Sequence, residues 1–225
     1  MAEISTIPET GSTNDDLAAL AREGAPEGLW LRAERQTGGK GRQGRPWQSP
    51  PGNLHASTLV RLQPGDPPAP TLALVAAVAL HAAIERHAPQ ARIKWPNDLL
   101  VGGAKLAGIL LERQSDAVIV GFGVNLAHHP EELDRPAISL APAVEPGAFL
   151  KRLAAEFEAW LTRWRTEGLA PVRSAWLAAA HPVGTQLVST DARGTFEGLD
   201  ETGALRLRLP DGALRVIHAG DVFLL

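Results

Sequence analysis

The chain contains no cysteine. That absence excludes disulfides, thiolate metal sites and a cysteine nucleophile together. Positive charge is not in excess either: 22 Lys and Arg against 25 Asp and Glu leave a formal charge of −3, whereas a nucleic-acid-binding domain is usually strongly basic. The most apolar run, residues 72–80, continues past His81 only to Ile84 before Glu85 and Arg86. That falls short of the roughly 20 residues needed to cross a bilayer. The N-terminal Met1-Ala2-Glu3-Ile4-Ser5 has neither the basic nor the apolar region of a secretory signal. Missing too are the Gly-x4-Gly-Lys-Ser/Thr phosphate loop, a Gly-x-Ser-x-Gly nucleophile motif and histidines at metal-ligand spacing. The expectation is a cytoplasmic protein with no DNA and no membrane partner.

At 225 residues, 44% of them hydrophobic, the chain suits one large domain with a small appendage. Ser12-Thr13-Asn14-Asp15-Asp16 reads as a helix start, with a capping hydroxyl and an acid three residues on. Strand signals follow at 29–34 and, less regularly, at 54–62, where Thr58 and Val60 are β-branched. Residues 71–87 predict a buried helix stopped by Pro89. Short strands are expected at 92–95, 99–101, 104–112 across a Gly102-Gly103 turn, and 117–125. The 104–112 strand reads as an edge able to pair across a homodimer. Residues 127–146, rich in proline, alanine and acids, predict a surface excursion. Leu153, Phe157, Trp160 and Trp164 recur at helical spacing within 147–166, and a shorter helix is expected around 172–180.

After Pro182 the texture changes to five short strands separated by Gly and Asp turns, at 185–189, 194–199, 204–209, 214–218 and 221–225. That pattern suggests a small closed or half-open barrel. The expected division is a domain of residues 1–183 and a second of 184–225. The second is too small for a wide margin of stability and should lean on the first.

Three segments could carry chemistry. In residues 36–47, four glycines (Gly38, Gly39, Gly41, Gly44) alternate with Lys40, Arg42 and Arg45, and Trp47 closes the run. Glycines let the backbone approach a ligand closely, and the cations suit anionic oxygens. Taken alone, a basic surface connection explains the segment equally well. The Pro46 and Pro50-Pro51 that follow rule out the helix a dinucleotide-binding turn must open. In Lys94-Trp95-Pro96-Asn97-Asp98, with Lys105 and Gly108 beyond it, two lysines sit at the ends of apolar strands. They call for either an ion pair with Asp98 or an anionic ligand. Gly121-Phe122-Gly123-Val124-Asn125 ends another apolar strand, where missing side chains allow close packing.

Taken in order, Ser12-Thr13-Asn14, Gln36, the Gly-Lys-Gly-Arg-Gln-Gly-Arg-Pro-Trp loop, Lys-Trp-Pro-Asn-Asp, Lys-x-x-Gly-Ile-Leu and Gly-x-Gly-x-Asn resemble the catalytic core of biotin protein ligases. Residues from 184 on look like that family's C-terminal SH3-like domain. The resemblance implies an α+β fold, a mixed sheet flanked by helices of the class II synthetase-like type, with a small SH3-like β-barrel. It implies a two-step reaction: biotin and MgATP give biotinyl-5′-adenylate and pyrophosphate, then a lysine of a biotin carboxyl carrier domain takes the biotinyl group. Lys105 and Arg42 would be catalytic. Ser12, Thr13, Asn14, Gln36, Gly39, Lys40, Arg42, Lys105 and Gly108 would face biotin. Arg42, Arg45, Trp47, Asn97, Asp98, Lys105 and Asn125 would face ATP or the adenylate. Trp47 would close over the ligand as an apolar lid, in a loop, residues 38–47, expected to be mobile without ligand and ordered with biotin or adenylate. Asp98 would either orient Lys105 or hold Mg²⁺ through water.

Two departures stand out. Lys40 occupies a position where the family pattern has arginine, and the chain opens at the catalytic core without the winged helix of repressor members. The second departure implies no repressor role. A lipoate or octanoate ligase of the same fold, and a protein that binds biotin without turnover, are the rival readings.

Overall fold

The computed structural model describes residues 2–131, 135–140, 144–189 and 192–224. Its first sheet has seven strands: β1 (Glu3–Thr10), β2 (Leu29–Gln36), β3 (Leu54–Arg61), β4 (Arg92–Lys94), β5 (Asp98–Val101), β6 (Ala104–Gln114) and β7 (Ala117–Val124). They lie in the order β1-β2-β3-β7-β6-β5-β4. Only β1 and β2 are parallel; every other neighbouring pair is antiparallel, so the sheet is mixed. β1 carries no clear alternation and contains Pro8, which an edge strand tolerates because its free side needs no N–H.

The strand expected as an edge is interior over its first half only. β6 pairs with β7 along 107–114 but with β5 only along 104–108, so among the described residues β6 carries a ladder on one side only along 110–114 and keeps an open edge there. Its length and its Gly102-Gly103 turn, with φ of 56° and 83°, come from a two-residue hairpin that needs positive φ at both positions. The excursion at 127–146 is also less peripheral than expected. Where β7 ends, Ala137 continues the sheet beside Lys105: Lys105 N donates to Pro136 O at 2.8 Å and Ile138 N to Lys105 O at 3.0 Å. Residues 132–134 and 141–143 of that segment lie outside the described residues.

Helices cover both faces. α1 (Thr13–Arg22) packs Leu17 and Ala21 against Leu31, Leu59, Ala117 and Ile119. On the opposite face lie α2 (Leu72–Ile84), α3 (Pro146–Glu167) and α4 (Leu169–Ala179). α2 is apolar all round because it is buried between the sheet and α3. Trp30, Phe122 and Phe157 form an aromatic cluster joining sheet and helix, with ring centroids 5.6–5.9 Å apart. No described helix is long and apolar enough to cross a membrane.

The second sheet is β8 (Gln186–Ser189), β9 (Arg193–Leu199), β10 (Leu205–Arg208), β11 (Leu214–Ile217) and β12 (Val222–Leu224), all antiparallel, in the order β11-β10-β9-β8-β12. The five strands stand close to their expected places. Among the described residues no ladder joins β11 to β12, so the expected barrel is present as an antiparallel sheet. It leans on the larger unit: Phe196, Leu199, Leu205, Leu207 and Val222 belong to the same apolar cluster as α2–α4. Trp176 of α4 meets Phe196 edge-on at 6.3 Å.

One polar tie fixes the end of α3. Arg165 donates to both oxygens of Glu27, at 2.6 and 2.8 Å, while Arg61 N donates to Glu27 Oε2 at 2.7 Å. Burial alone would raise the Glu27 carboxyl, but these donors outweigh it and hold its pKa below the ordinary value. A depressed carboxyl stabilises the fold above its unfolded pKa and loses that contribution as pH falls through the folded one. Glu27→Gln should therefore cost about 1–2 kcal/mol at pH 7 and less under acid conditions, since the pair is half-exposed. Urea melts at the two pH values check this; equal losses at both would refute the charge account.

Candidate active site

The C-terminal ends of β2 and β7, the start of β6 and the chain before β12 surround a cavity of about 870 Å³. That size suits a drug-sized ligand or larger. Its two ends differ in chemistry.

At one end the start of α1 builds a wall of hydrogen-bonding groups. Ser12 caps the helix by accepting from Asp15 N at 3.4 Å. The residues that follow are buried and tied to neighbouring strands. Thr13 N and Oγ1 both donate to Gln36 Oε1, at 2.9 and 3.0 Å, and Thr13 Oγ1 shares a 2.7 Å bond with Ser57 Oγ. Gln36 Nε2 in turn donates to Ser49 Oγ at 3.0 Å. Asn14 is held on both sides: its Oδ1 accepts from Ser57 Oγ and its Nδ2 donates to Glu112 Oε2, each at 2.6 Å. The glycines of β7 explain the fit. A Cβ on Gly121 would sit 2.3 Å from Asn14 Oδ1, so the helix end can approach the sheet only where that side chain is missing.

At the other end lie cations. Lys94 Nζ donates to Asp98 Oδ2 at 3.2 Å, and Lys105 Nζ lies 2.7 Å from Asp98 Oδ1, close but without hydrogen-bond alignment. Burial pushes the Lys94 ammonium below its usual pKa, with Asp98 opposing. The basic loop folds back on itself, with Trp47 N donating to Gly39 O at 2.8 Å and Gly41 N to Arg45 O at 2.7 Å. This lays Trp47 across β6 and β7. A Cβ on Gly123 would be 2.5 Å from its indole and one on Gly108 would be 3.3 Å from it. Lys105 Nζ lies 5.3 Å from the Trp47 ring centroid, a cation–π contact. Arg42 and Arg45 reach the second sheet at Asp221.

The sequence comparisons fit this arrangement. Residues 7–125 match the biotin/lipoate A/B protein ligase family and residues 189–225 match the biotin protein ligase C-terminal domain. A biotin–[acetyl-CoA-carboxylase] ligase of Paracoccus denitrificans is 41% identical over 96% of this chain and 98% of its own. The chain belongs to the biotin protein ligase family. The ligase of that name from Mycobacterium tuberculosis is 35% identical, covering 98% of this chain and 88% of its own. Among solved structures, a biotin protein ligase from Aquifex aeolicus in complex with biotin and ATP superposes with a TM-score of 0.87 at 25% identity, over 100% and 99% of the two chains.

In this ligase the cavity brings together Ser12, Thr13, Asn14, Gln36, Lys40, Arg42, Arg45, Trp47, Asn97, Asp98, Lys105 and Gly108. Gly39 and Asn125 do not line it. Gly39 is a close-approach position, since a Cβ there would be 2.7 Å from both Ser49 Oγ and Trp47 O. Asn125 acts on the backbone: its Nδ2 donates to Ile138 O at 3.2 Å and Lys105 O at 3.4 Å, fixing the strand that carries Lys105. Asn97, although at the cavity, donates to Ile109 O at 2.6 Å and so holds the β5–β6 pairing. Lys40 is exposed and paired with Asp15 at 2.6 Å, which needs a charge and not arginine's planar fork. Asp98 bridges two ammoniums, so a magnesium ion beside it would have to displace one; the carboxylate suits orienting Lys105.

Sequence reasoning missed Ser57, Glu112, Arg135, Asp221 and Phe223, and gave Lys94 no ligand role. All but Glu112 line the cavity, and Glu112 holds Asn14. Lys94 was visible as a lysine ending an apolar strand. Phe223 lies under two cations, with Arg135 Cζ 3.7 Å and Lys94 Nζ 5.4 Å from its centroid.

Proposed function

We propose that this ligase activates biotin with ATP and transfers it to a lysine of a biotin carboxyl carrier domain. In this reading residues 1–183 carry the ligand contacts and 184–225 close over them. The supporting observation is one cavity with a fixed polar wall at one end and Lys105, Arg42 and Arg45 at the other, beneath Trp47.

In the first step a carboxylate oxygen of biotin attacks the α-phosphorus of ATP. A P–O bond forms there as the bond to pyrophosphate breaks, giving the acyl-adenylate. Two unit negative charges 4 Å apart repel by about 4 kcal/mol at an effective dielectric constant of about 20. Lys105 and Arg42 offset that repulsion and stabilise charge at the transferring phosphoryl centre without reorganising. In the second step the carrier lysine's neutral amine attacks the acyl carbon, the amide forms, AMP leaves and the amine proton passes to solvent. Asp98 is already paired with two lysines, so a magnesium ion would be brought in by ATP as part of the substrate and would supply further charge neutralisation for the phosphates. Trp47, seated on Gly123 and Gly108, keeps water from the adenylate.

The polar wall favours biotin over lipoate. Thr13, Gln36 and Ser57 offer donors and acceptors that a ureido ring can satisfy. A dithiolane has no N–H or C=O to offer this hydrogen-bonded wall, whereas a ureido ring has both, and that difference discriminates between them.

Biotin-dependent ATP–pyrophosphate exchange with lipoate as competitor, followed by label transfer to a carrier-domain lysine, tests the reading. Exchange driven equally by lipoate, or binding without transfer, would refute it. Arg42→Gly removes the cation placed on the adenylate, together with its anchor to the second sheet. It should release adenylate and label bystander lysines, read by mass spectrometry of an added non-substrate protein. Retention as tight as in the parent would remove Arg42 from that role.

A further inference from the structure

The two arginines of the basic loop converge on one carboxylate from the far end of the chain. Asp221 Oδ1 accepts from Arg42 Nη1 at 3.0 Å, and its Oδ2 accepts from Arg45 Nη2. Arg42 Nη1 also donates to the neighbouring carbonyl of Gly220 at 3.1 Å, and Arg45 Nη2 to Gln43 Oε1 at 2.8 Å. Each arginine thus uses one terminal nitrogen. Its Nε and its other terminal nitrogen make no hydrogen bond to a described residue.

The Asp221 side chain is only 17% exposed, against 27% for Arg42 and 50% for Arg45. Burial would raise its carboxyl, but the bond from Arg45 and the charges of Arg42, Arg45 and Lys94 outweigh that and hold the pKa below the usual value. One anion between two guanidiniums leaves a net positive charge at the cavity. It also fixes the direction of two long side chains that would otherwise sample many rotamers.

We infer that Asp221 is a positioning residue: from the second sheet it fixes Arg42 and Arg45 so that their unused donors face a polyphosphate. This rests on the proposed nucleotide chemistry and goes beyond it, because it gives one carboxylate of the C-terminal sheet the task of aiming both loop arginines. Removing the carboxylate also removes a negative charge, which by itself would favour an anion. That gain is weak, because the carboxylate is already neutralised by its partners and the half-exposed Arg45 beside it lets solvent and salt screen the change. The lost orientation of two bidentate donors is the larger effect.

The test compares wild type, Asp221→Asn and Asp221→Glu. In biotin-dependent exchange, Asp221→Asn should raise the KM for ATP about tenfold and lower kcat severalfold, since Arg42 also serves the transferring phosphoryl centre, with the KM for biotin within about threefold. Asp221→Glu should recover most of the loss. Proteolysis within residues 38–47 should quicken in Asp221→Asn and return towards wild type in Asp221→Glu. ATP affinity by calorimetry gives the same comparison without turnover, and Asp221→Ser replaces the amide if that variant does not fold.

An ATP KM that is unchanged would overturn the inference, and a lower one would show that Asp221 competes with phosphate. Equal losses for ATP and biotin would mark a structural role only. Failure of wild type to exchange would count against the proposed function instead, and the calorimetric comparison would still decide the role of Asp221.

Discussion

Lys105→Met should lower biotin-dependent ATP–pyrophosphate exchange by about 10³-fold, the effect of removing a preorganised donor from a charge that develops in the transition state. Two features support so large a loss. Lys105 shares the Asp98 carboxylate with Lys94, so its charge is not cancelled one-for-one and remains available to an anion. Its backbone is also fixed unusually well, by Leu100 and Ala137 on either side and by Asn125 and Ile138. Asp98 keeps Lys94 in the variant, so the fold should hold, with a melting temperature within a few degrees of wild type. The loss should fall mainly on kcat, because ground-state binding has several other cations while the transferring phosphorus would keep only Arg42. Activity within tenfold of wild type would move the catalytic role elsewhere, with Lys94 the next group to test.

Residues close in the chain announced themselves, whereas residues brought together by the fold did not. The alternating glycines and cations of 36–47 carry a local signal, as do two lysines at the ends of apolar strands. Asp221 lies 179 residues from Arg42, in a turn like any other, and nothing in its neighbourhood points to a partner. Ser57 sits inside an unremarkable apolar strand, and only the register of β3 beside the start of α1 gives its hydroxyl a purpose. Asn125 misled for a related reason: an asparagine ending a Gly-rich strand looks like a ligand contact, but its amide satisfies two backbone carbonyls. Gly102-Gly103 reveals the hairpin that covers the first half of β6, but only the shortness of β5 leaves 110–114 as an open edge.

The glycines of β7 show what the sequence did carry. Gly121 and Gly123 looked like positions where another group packs on the backbone, and the groups are now named as Asn14 and the Trp47 indole. Gly123→Ala places a methyl 2.5 Å from that ring, well inside contact distance, and an interior strand cannot shift to relieve it. Trp47 should therefore leave its seat. Losing that packing costs about 2 kcal/mol of lid closure, roughly a 30-fold faster release of adenylate. Rapid-filtration measurement of adenylate retention reads this directly, and protease cleavage within 38–47 should rise in parallel.

The double variant decides the cause. With Trp47→Ala the methyl meets no ring, so adding Gly123→Ala should change release by less than about twofold. If Gly123→Ala costs as much without the tryptophan as with it, the methyl disturbs the sheet and not the lid. Trp47 would then have to be held by its loop alone.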